Sequence, residues 1–311
     1  RWQVLRDIVR APEDVVARDR ARVADEGWGA RLLALQGADG QWAGGACFPA
    51  EGWRRESEGQ PWTSTLPTLQ LLYEFGIDPM DERVRRAIAG VREGCRWEHA
   101  GQPFFSGEVE PCINGRTVAI GAYFGEDVGP LVDRLLHEQL ADGGWNCDAE
   151  SGSVRSSFAT TINVLDGLLE YERAIGGSAR VADARRRGEE YLLERKLMRR
   201  RSTGEIVDPA WLELSYPVWW HYDVLRALDH LRAAGVAPDP RVTEAIDLVR
   251  SKRRPDGTWP LERTHPGKVH FVLEGDGRPS RWNTLRALRV LDWYEPAGRA
   301  EIGASDRDQV R

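Results

Sequence analysis

The sequence lacks the features that mark membrane-spanning, secreted and nucleic-acid-binding chains. It contains no apolar run of about 18 residues, the length that a membrane-spanning helix needs. Its amino-terminal stretch, RWQVLRDIVRAPED, is charged and has no apolar centre of the signal-peptide type. The formal net charge of -6 provides no positive field for nucleic acid or anionic membranes. These absences predict a cytoplasmic protein with no transmembrane segment and no nucleic-acid partner.

Cysteine is also scarce. The 311 residues include four cysteines, Cys47, Cys95, Cys112 and Cys147, and none of them forms a CxxC pair. A chain of this length buries enough apolar surface to fold without a disulfide framework. The four cysteines are therefore free thiols, packing groups or metal ligands.

Tryptophan, by contrast, is abundant and recurs in similar turns. The chain has 13 tryptophans against 7 tyrosines and 7 phenylalanines. Trp42, Trp145 and Trp259 each end a segment in which an apolar helical run is followed by Asp-Gly and then the tryptophan. Aspartate opens such turns, and glycine supplies the left-handed conformation that ends a helix. With weaker copies between these three, the period is roughly 40 to 60 residues, the size of one helical hairpin.

Apolar and amphipathic segments alternate along the chain. Residues 161–169, TINVLDGLL, are apolar around most of a helix, which is typical of an inner helix packed on both sides. Residues 180–195 and 239–253 have one apolar stripe and many charges, which is typical of outer helices that face solvent. Strand signals are scarce, so the pattern predicts an all-α fold with two concentric layers.

The number of such helix pairs is sufficient to close a ring. About five to six inner and outer pairs, together with amino-terminal helices in residues 2–9 and 12–35, predict an α/α toroid, or barrel. A closed repeat array can hold this length as one domain. We therefore predict a single toroid domain over residues 1–296 and a disordered tail over residues 297–311.

The tryptophan turns carry a family resemblance. Gln-x-x-x-Gly-x-Trp occurs twice, at Gln36, Gly40 and Trp42 and at Gln139, Gly143 and Trp145. The third turn, which ends at Trp259, has Arg253 in the glutamine position. This arrangement resembles the QW motif of squalene-hopene and oxidosqualene cyclases, whose fold is an α/α toroid. The chain also resembles stand-alone bacterial proteins of similar size that are called squalene cyclase-like.

The acid motif of that family is absent. Class II terpene cyclases protonate an alkene or epoxide with the middle aspartate of Asp-x-Asp-Asp, and the sequence contains neither this motif nor the Asp-Asp-x-x-Asp of class I enzymes. Ordinary squalene cyclisation is therefore not expected. The resemblance instead implies a terpene cyclase-like enzyme that applies acid-base chemistry to a hydrophobic, isoprenoid or polycyclic small molecule in a central cavity. No cofactor is expected for such a reaction.

The predicted site lies where the amino termini of the inner helices converge, because backbone N–H groups there attract developing negative charge. Aromatic side chains at these positions would stabilise a cationic intermediate through their π faces or, alternatively, would only fill a narrow barrel. The residues predicted to bind substrate are Trp62, Cys112, Asn114, Arg155, Trp219, Trp220, Tyr222, Arg281 and Trp282.

Three residues near this rim are predicted to be catalytic. His221 and Asp223 stand two residues apart at a helix start, and Glu110 precedes another inner helix. His221 would titrate near neutral pH, while Asp223 or Glu110 orients it. In the alternative interpretation, Asp223 caps its helix and His221 packs against a tryptophan.

Two other function classes stay open. The stretch Trp-His-Tyr-Asp at 220–223 resembles the Tyr-His-Thr of protein prenyltransferase β-subunits, in which the histidine binds zinc. Cys112, Cys147 and His221 are the candidate zinc ligands of a zinc-dependent transferase or hydrolase. The third class is a non-catalytic module that binds a hydrophobic ligand or a partner protein.

Two long loops, 44–61 and 265–276, are predicted to face each other over the mouth of the barrel.

Overall fold

Helices form nearly all of the regular structure in the described part of the chain. The computed structural model of the protein describes residues 1–50 and 59–295. The predicted tail at 297–311 and part of the loop at 44–61 lie outside the described residues. Within them, the strands are β1 (Gln60–Pro61), β2 (Trp259–Pro260), β3 (Gly267–Lys268) and β4 (Pro279–Ser280). The protein is therefore mostly helical, in agreement with the prediction.

Three short helices open the chain. α1 (Trp2–Val4) continues into a π-helical turn over Leu5–Val9, and α2 (Glu13–Ala21) and α3 (Gly27–Leu33) follow. Arg10 has a positive φ of 56°, which ends the π-helical turn before α2 begins. The predicted amino-terminal helices are present, with the predicted breaks.

Five helices provide much of the buried core, with most residues buried in the first four and five of fourteen buried in the last. They are α4 (Thr65–Phe75), α6 (Pro111–Phe124), α8 (Phe158–Ile175), α10 (Val224–Ala233) and α12 (Arg281–Tyr294). In α4, nine of the eleven residues are buried, because the sequence TLPTLQLLYEF offers almost no polar face. The predicted inner helix at 161–169 lies within α8, and all its residues except Asp166 are buried.

Four amphipathic helices alternate with them. They are α5 (Glu82–Gly94), α7 (Gly129–His137), α9 (Ala179–Leu193) and α11 (Thr243–Ser251). In α9, the small or apolar residues Val181, Ala184 and Gly188 are buried at helical spacing, whereas Arg186 and Arg187 are exposed. The two predicted outer helices correspond to α9 and α11, so the alternation of buried and amphipathic helices follows the sequence pattern.

The three tryptophan turns make the same set of contacts. Each indole N–H donates to the carbonyl ten residues earlier: Trp42 to Leu32 at 2.7 Å, Trp145 to Leu135 at 2.7 Å and Trp259 to Val249 at 2.6 Å. Each tryptophan backbone N–H donates to a threonine hydroxyl in a following buried helix: Thr65, Thr161 or Thr284. All three indoles are fully buried. Each turn therefore joins the helix before it to the buried helix that follows.

The glutamines of the first two turns bind the neighbouring outer helix. Gln36 Nε2 donates to the carbonyls of Gly40 and Ala87, both at 2.8 Å. Gln139 Nε2 donates in the same way to Gly143 at 2.6 Å and Ala184 at 2.8 Å. One side chain thus links α3 to α5, and the other links α7 to α9.

The buried helices contact one another in chain order, from α4 through α6, α8 and α10 to α12. α6 and α8 approach so closely that a Cβ on Gly115 would lie 2.4 Å from the carbonyl oxygen of Asn163. The amino-terminal segment lies between the two ends of this series. Trp2 Nε1 donates to the carbonyl of Phe75 in α4 at 2.8 Å. Asp7 accepts from Nε of Arg289 in α12 at 2.8 Å.

The two predicted loops meet. β1 pairs in parallel with β3, with Gln60 opposite Gly267, and Trp62 Nε1 donates to the carbonyl of Pro266 at 3.1 Å. The prediction that these loops face each other is confirmed for the residues described. Among the described helices, none combines the length and the apolar character that crossing a bilayer requires.

Candidate active site

A cavity of about 700 Å³ lies among the buried helices. Small-molecule sites commonly have volumes of about 300 to 1,000 Å³, so the cavity can hold a ligand of ordinary size. The central and carboxyl-terminal parts of α4, α6, α8 and α10 line it, together with parts of α1 and α12. The cavity therefore lies farther along most of these helices than the predicted position at their amino termini.

The wall of this cavity is rich in arginine. Eight arginines and four carboxylates line it. The arginines are Arg6, Arg20, Arg116, Arg173, Arg226, Arg232, Arg286 and Arg289. The apolar part of the wall is formed by Trp2, Ala119, Ile120, Leu169, Val218, Ala233 and Trp282. The wall is thus mixed in character, whereas the prediction was an aromatic lining. Of the predicted substrate-binding residues, the described lining includes Trp282.

Glu74 of α4 lines this cavity, and one of its carboxyl oxygens accepts no hydrogen bond from the described residues. Its Oε1 accepts from Gln70 Nε2 at 2.8 Å, whereas its Oε2 is buried without a hydrogen-bond partner. Burial raises the pKa of Glu74 above the ordinary value for glutamate. The hydroxyl of Tyr216, whose ring stacks on Trp282 at 4.9 Å, lies close to Glu74 and interacts with its carboxyl, although neither the phenol nor Oε2 makes a hydrogen bond of normal geometry to a described residue. The carboxyl and the phenol can therefore both exchange protons with a bound ligand.

Arg116 of α6 is a buried cation to which no described residue is hydrogen-bonded through Nε or Nη2. The residue is 7% exposed, and its Nε and Nη2 make no hydrogen bond. Each of the other seven arginines of the wall donates to a carboxylate, carbonyl or hydroxyl oxygen of the protein. Burial lowers the pKa of Arg116 to about 10, which leaves the guanidinium charged at neutral pH.

A buried ionic network joins α8, α9 and α10. His230 binds Asp166 through Nδ1 at 2.8 Å and Glu189 through Nε2 at 3.2 Å. Asp166 also accepts from Nη2 of Arg226 at 2.8 Å. Burial opposes the charged imidazole, but the hydrogen bonds and charges of the two carboxylates raise the pKa of His230 to about 9. His230 is therefore cationic at neutral pH.

Sequence reasoning missed these cavity residues. A signal for them exists in the form of polar pairs four residues apart on otherwise buried helices, such as Asp166 with Glu170 and Arg226 with His230. This spacing places both members on one helix face.

The predicted aromatic residues at 219–222 lie in a segment held in place by polar side chains of the buried helices. The carbonyl of Trp219 accepts from Gln70 Nε2 at 3.1 Å, and the carbonyl of Trp220 accepts from Asn163 Nδ2 at 2.7 Å. Trp219 has a positive φ of 50° and stacks on Trp62 at 4.7 Å. Trp62, Trp219 and Trp220 thus lie outside the cavity lining, in agreement with the alternative that large aromatics fill the barrel.

His221 is enclosed by other rings. Its imidazole stacks on His265 at 3.5 Å and on Trp220 at 3.9 Å, and its Nδ1 is buried without a partner. Burial, then the charge of His265, lowers the pKa of His221 to about 3. The predicted titration near neutral pH is therefore corrected: His221 is neutral there, and no carboxylate of the described residues hydrogen-bonds to it.

Both carboxylate oxygens of Asp223 accept hydrogen bonds from the protein. Its Oδ1 accepts from the backbone N–H of Arg226 at 2.6 Å, and its Oδ2 accepts from Ser215 Oγ at 2.6 Å. The guanidinium of Arg286 lies 3.4 Å from Oδ1. These contacts correspond to the alternative interpretation, in which Asp223 caps α10, because they leave no oxygen directed at a ligand.

The other predicted substrate-binding residues are dispersed. Tyr222 is buried, and its hydroxyl donates to the carbonyl of Leu197 at 2.5 Å. Asn114 is fully buried and binds the backbone of Glu108 through both side-chain atoms. Arg155 is exposed. None of these three side chains lines the 700 Å³ cavity.

Arg281 belongs to a smaller cavity of about 360 Å³. Its guanidinium lies over the Trp28 ring at 4.8 Å and within 3.3 Å of Glu274. Phe75 and Trp282 also line this space. The wall of Trp282 separates it from the larger cavity, since Trp282 lines both.

The structure brings together two of the three predicted zinc ligands. The potential ligand atoms of Glu110, Cys112 and Cys147 lie within 4.8 Å of one another, and Cys112 Sγ is 3.4 Å from Glu110 Oε2. His221 is not part of this group. Two thiolates and a carboxylate suit zinc, which completes its tetrahedron with water at catalytic sites. The donor set thus fits zinc with a different third ligand from the one predicted.

Comparisons with known proteins give a distant likeness. No family model matches the chain. No curated protein matches it either. Among solved structures, it is similar to the type II terpene cyclase MstE from Scytonema without ligand, at 17% identity and a TM-score of 0.43, over 95% of this chain and 87% of that chain.

Two ligand complexes of MstE variants from Scytonema are also similar to the chain. Each contains geranylgeranyl dihydroxybenzoate, the substrate of that enzyme. One is 17% identical with a TM-score of 0.43, over 95% of this chain and 86% of that chain. The other is 15% identical with a TM-score of 0.35, over 90% of this chain and 97% of that chain. At these values, the activity of this chain has to be inferred from its own residues.

Proposed function

We propose that residues 1–296 form one α/α toroid and that its central cavity is the ligand site of an enzyme. Two observations support the ring. The buried helices contact one another in chain order, and the amino-terminal segment bonds to both α4 and α12. The three equivalent tryptophan turns support a repeated helix pair as the building unit.

The reaction is acid-base chemistry on a small molecule, and Glu74 is its proton donor and acceptor. The observation that carries this proposal is the buried Oε2 of Glu74, which lines a cavity of ligand size and accepts no hydrogen bond of normal geometry from the described residues. A carboxyl with a raised pKa retains its proton to higher pH than an exposed one, which suits proton transfer to a bound ligand. Tyr216, whose hydroxyl interacts with the Glu74 carboxyl, is placed to assist.

The character of the wall limits the substrate. Glu74 is a weaker acid than an exposed glutamate, so it suits protonation of a heteroatom, or proton abstraction, better than protonation of an isolated alkene. The apolar wall accommodates a hydrocarbon portion, for which the QW-like turns favour an isoprenoid or polycyclic group. The arginines require that the same ligand also carries polar groups.

The test is a substitution at Glu74. Purified protein is incubated with polyprenyl alcohols, acids and diphosphates and with small molecules that co-purify, and products are identified by mass spectrometry. We expect Glu74→Gln to lower turnover by at least about a hundredfold, the usual contribution of a positioned acid or base. The control Glu170→Gln removes a cavity carboxylate that already accepts from Tyr73 and Arg173.

Two results of this experiment would count against the proposal. Turnover by Glu74→Gln at the wild-type rate would remove Glu74 from the chemistry. Binding of a ligand that is released unchanged by the wild-type protein would favour the non-catalytic binding module instead.

A zinc-dependent transferase or hydrolase is the second candidate, and the cluster of Glu110, Cys112 and Cys147 favours it. A bound zinc ion would polarise a substrate oxygen or lower the pKa of a coordinated water. Elemental analysis of protein purified without a metal-affinity tag tests this. About one zinc per chain, lost in Cys112→Ala and kept in Cys95→Ala, would support the site. Metal-free wild-type protein after purification in zinc-containing buffer would remove it.

A further inference from the structure

The unpaired guanidinium of Arg116 identifies a feature of the ligand. Arg116 is 7% exposed, lines the 700 Å³ cavity and makes no hydrogen bond from Nε or Nη2. Burial of an ion without a partner costs several kcal/mol, and native proteins almost always provide a counter-charge. The described residues provide none by direct contact.

The groups nearest in electrostatic terms do not neutralise this charge. Cys47 and Cys112 interact with Arg116. Burial raises the pKa of the Cys47 thiol to about 12, and the hydrogen bond with Cys147, together with burial, raises the pKa of the Cys112 thiol, so both sulfurs are uncharged at neutral pH. Glu74 is the carboxyl that interacts with Arg116, but it hydrogen-bonds to Gln70 and not to the guanidinium. The wall as a whole has twice as many arginines as carboxylates, eight against four. Asp7, which accepts from Arg6 and Arg289, and Asp223, which lies 3.4 Å from Arg286, add counter-charges behind this wall. Arg116 is the wall arginine for which the described residues supply no hydrogen-bonded oxygen.

Paired arginines of the same wall show what the missing partner would be. Arg226 donates to Asp166, Arg232 donates to Asp229 at 2.7 Å, and Arg173 donates to Glu170 at 3.3 Å. In each case the partner is an oxyanion, which matches the planar, forked donors of the guanidinium. An oxyanion supplied by a ligand would give Arg116 the same type of partner.

We propose that Arg116 binds an oxyanion of the ligand, a carboxylate or phosphate group, inside the cavity. This inference rests on the proposed function only in taking the cavity as the ligand site. It specifies the substrate class as an anionic small molecule. Arg116 holds the anionic group, and Glu74 acts on another part of the same ligand.

Calorimetric titration with inorganic anions tests the proposal without knowledge of the substrate. The full chain, in phosphate-free buffer at constant ionic strength, is titrated with inorganic diphosphate, inorganic phosphate and malonate. We expect saturable binding of at least one of them by the wild-type protein. Arg116→Gln is expected to weaken it by at least about tenfold, and Arg116→Lys by less, because lysine keeps the charge but not the fork.

A matched control separates specific binding from loss of charge. Arg232→Gln removes one positive charge from the same wall, at a residue already paired with Asp229. It is expected to change the anion affinity by less than about threefold, since a paired cation offers little to a ligand. Circular dichroism and thermal unfolding of each variant report whether it is folded.

Two outcomes would overturn the proposal: no anion binds to the folded wild-type protein, or Arg116→Gln binds as tightly as the wild type. Titration of Glu74→Gln distinguishes this failure from that of the proposed function. If Glu74→Gln keeps both turnover and anion binding, the acid-base proposal fails and the anion site stands. If it loses turnover of a neutral ligand while no anion binds to the wild type, the anion site fails and the acid-base proposal stands.

Discussion

At the scale of single residues, two buried arginines of one cavity differ in what surrounds them. Arg226 donates to Asp166, to Asn163 and to the carbonyl of His221, so that all three of its nitrogens are occupied. Arg116 has no such contacts. Since the desolvation cost of a buried ion is offset only by its partners, the two side chains should affect stability in opposite directions.

We predict that Arg226→Met lowers the free energy of unfolding by about 3 to 5 kcal/mol, because it leaves Asp166 and two backbone carbonyls without this partner. Arg116→Met, in buffer without oxyanions, should leave that free energy unchanged or raise it, because it removes an uncompensated charge and fills similar volume. Urea denaturation of both variants measures the difference. If Arg116→Met were as destabilising as Arg226→Met, the guanidinium of Arg116 would have a structural partner.

At the scale of secondary-structure elements, the glutamines of the tryptophan turns link each turn to an amphipathic helix. Gln139 supplies both of its N–H donors to backbone carbonyls, one in its own turn and one at Ala184 in α9. Gln36 does the same toward Ala87 in α5. The two positions are therefore equivalent in what they stabilise.

We predict that Gln139→Ala and Gln36→Ala each lower the free energy of unfolding by about 1 to 3 kcal/mol, since each removes two buried hydrogen bonds, one within the turn and one to the neighbouring helix. Gln41→Ala is the control, because that side chain donates to Asp39 at the surface. Its effect should remain within about 0.5 kcal/mol. Thermal unfolding measured side by side tests the prediction, which equal effects at all three positions would contradict.

At the scale of the whole molecule, buried histidines of two kinds set the pH range of stability. The pKa of His230 is about 9, above that of an unfolded histidine, because Asp166 and Glu189 offset the cost of burial. The pKa values of His221 and His265 are about 3 and about 4, below that of an unfolded histidine, because both are partly buried and lie near other basic side chains. Protonation therefore stabilises the folded state through His230 and destabilises it through His221 and His265.

We predict that stability is greatest near the pKa of an unfolded histidine, about 6.5, and declines on either side. The contribution of His230 is fully present below that pH and is lost as the pH rises through about 9. The contributions of His221 and His265 are present above it and are lost as the pH falls toward about 3 to 4. Urea denaturation across this range measures the profile.

A variant identifies the alkaline limb of that profile. In His230→Gln, the free energy of unfolding should decline less above about pH 6.5 than in the wild type, whereas its decline at acid pH should stay the same. The decline removed by the substitution should amount to at most about 3 kcal/mol. An alkaline limb that is the same in His230→Gln and the wild type would show that another group titrates there.

The elements of this fold could be predicted from the sequence, because their causes are local. The Asp-Gly pairs before Trp42, Trp145 and Trp259 form turns because their glycines adopt positive φ. These glycines lie six or seven residues after the last residue of the preceding helix, which ends in the right-handed conformation, so the prediction that they end the helices is wrong. The alternation of apolar and amphipathic segments reports which helices are buried, since burial follows the width of the apolar face. The same reasoning placed the candidate site less well. It selected His221 and Asp223 at a helix start, where capping and ring stacking account for their contacts.

The sequence by itself therefore determined a mostly helical chain with repeated tryptophan turns. Only the tertiary structure decided which polar side chains share a cavity, because Glu74, Arg116, Asp166, Arg226 and Arg286 come from five different helices. Their meeting depends on the rotation and stacking of each helix against its neighbours, which spacing within one segment does not encode. The absence of a partner for Arg116 is a property of that whole arrangement, since it requires that no described neighbour reaches the guanidinium.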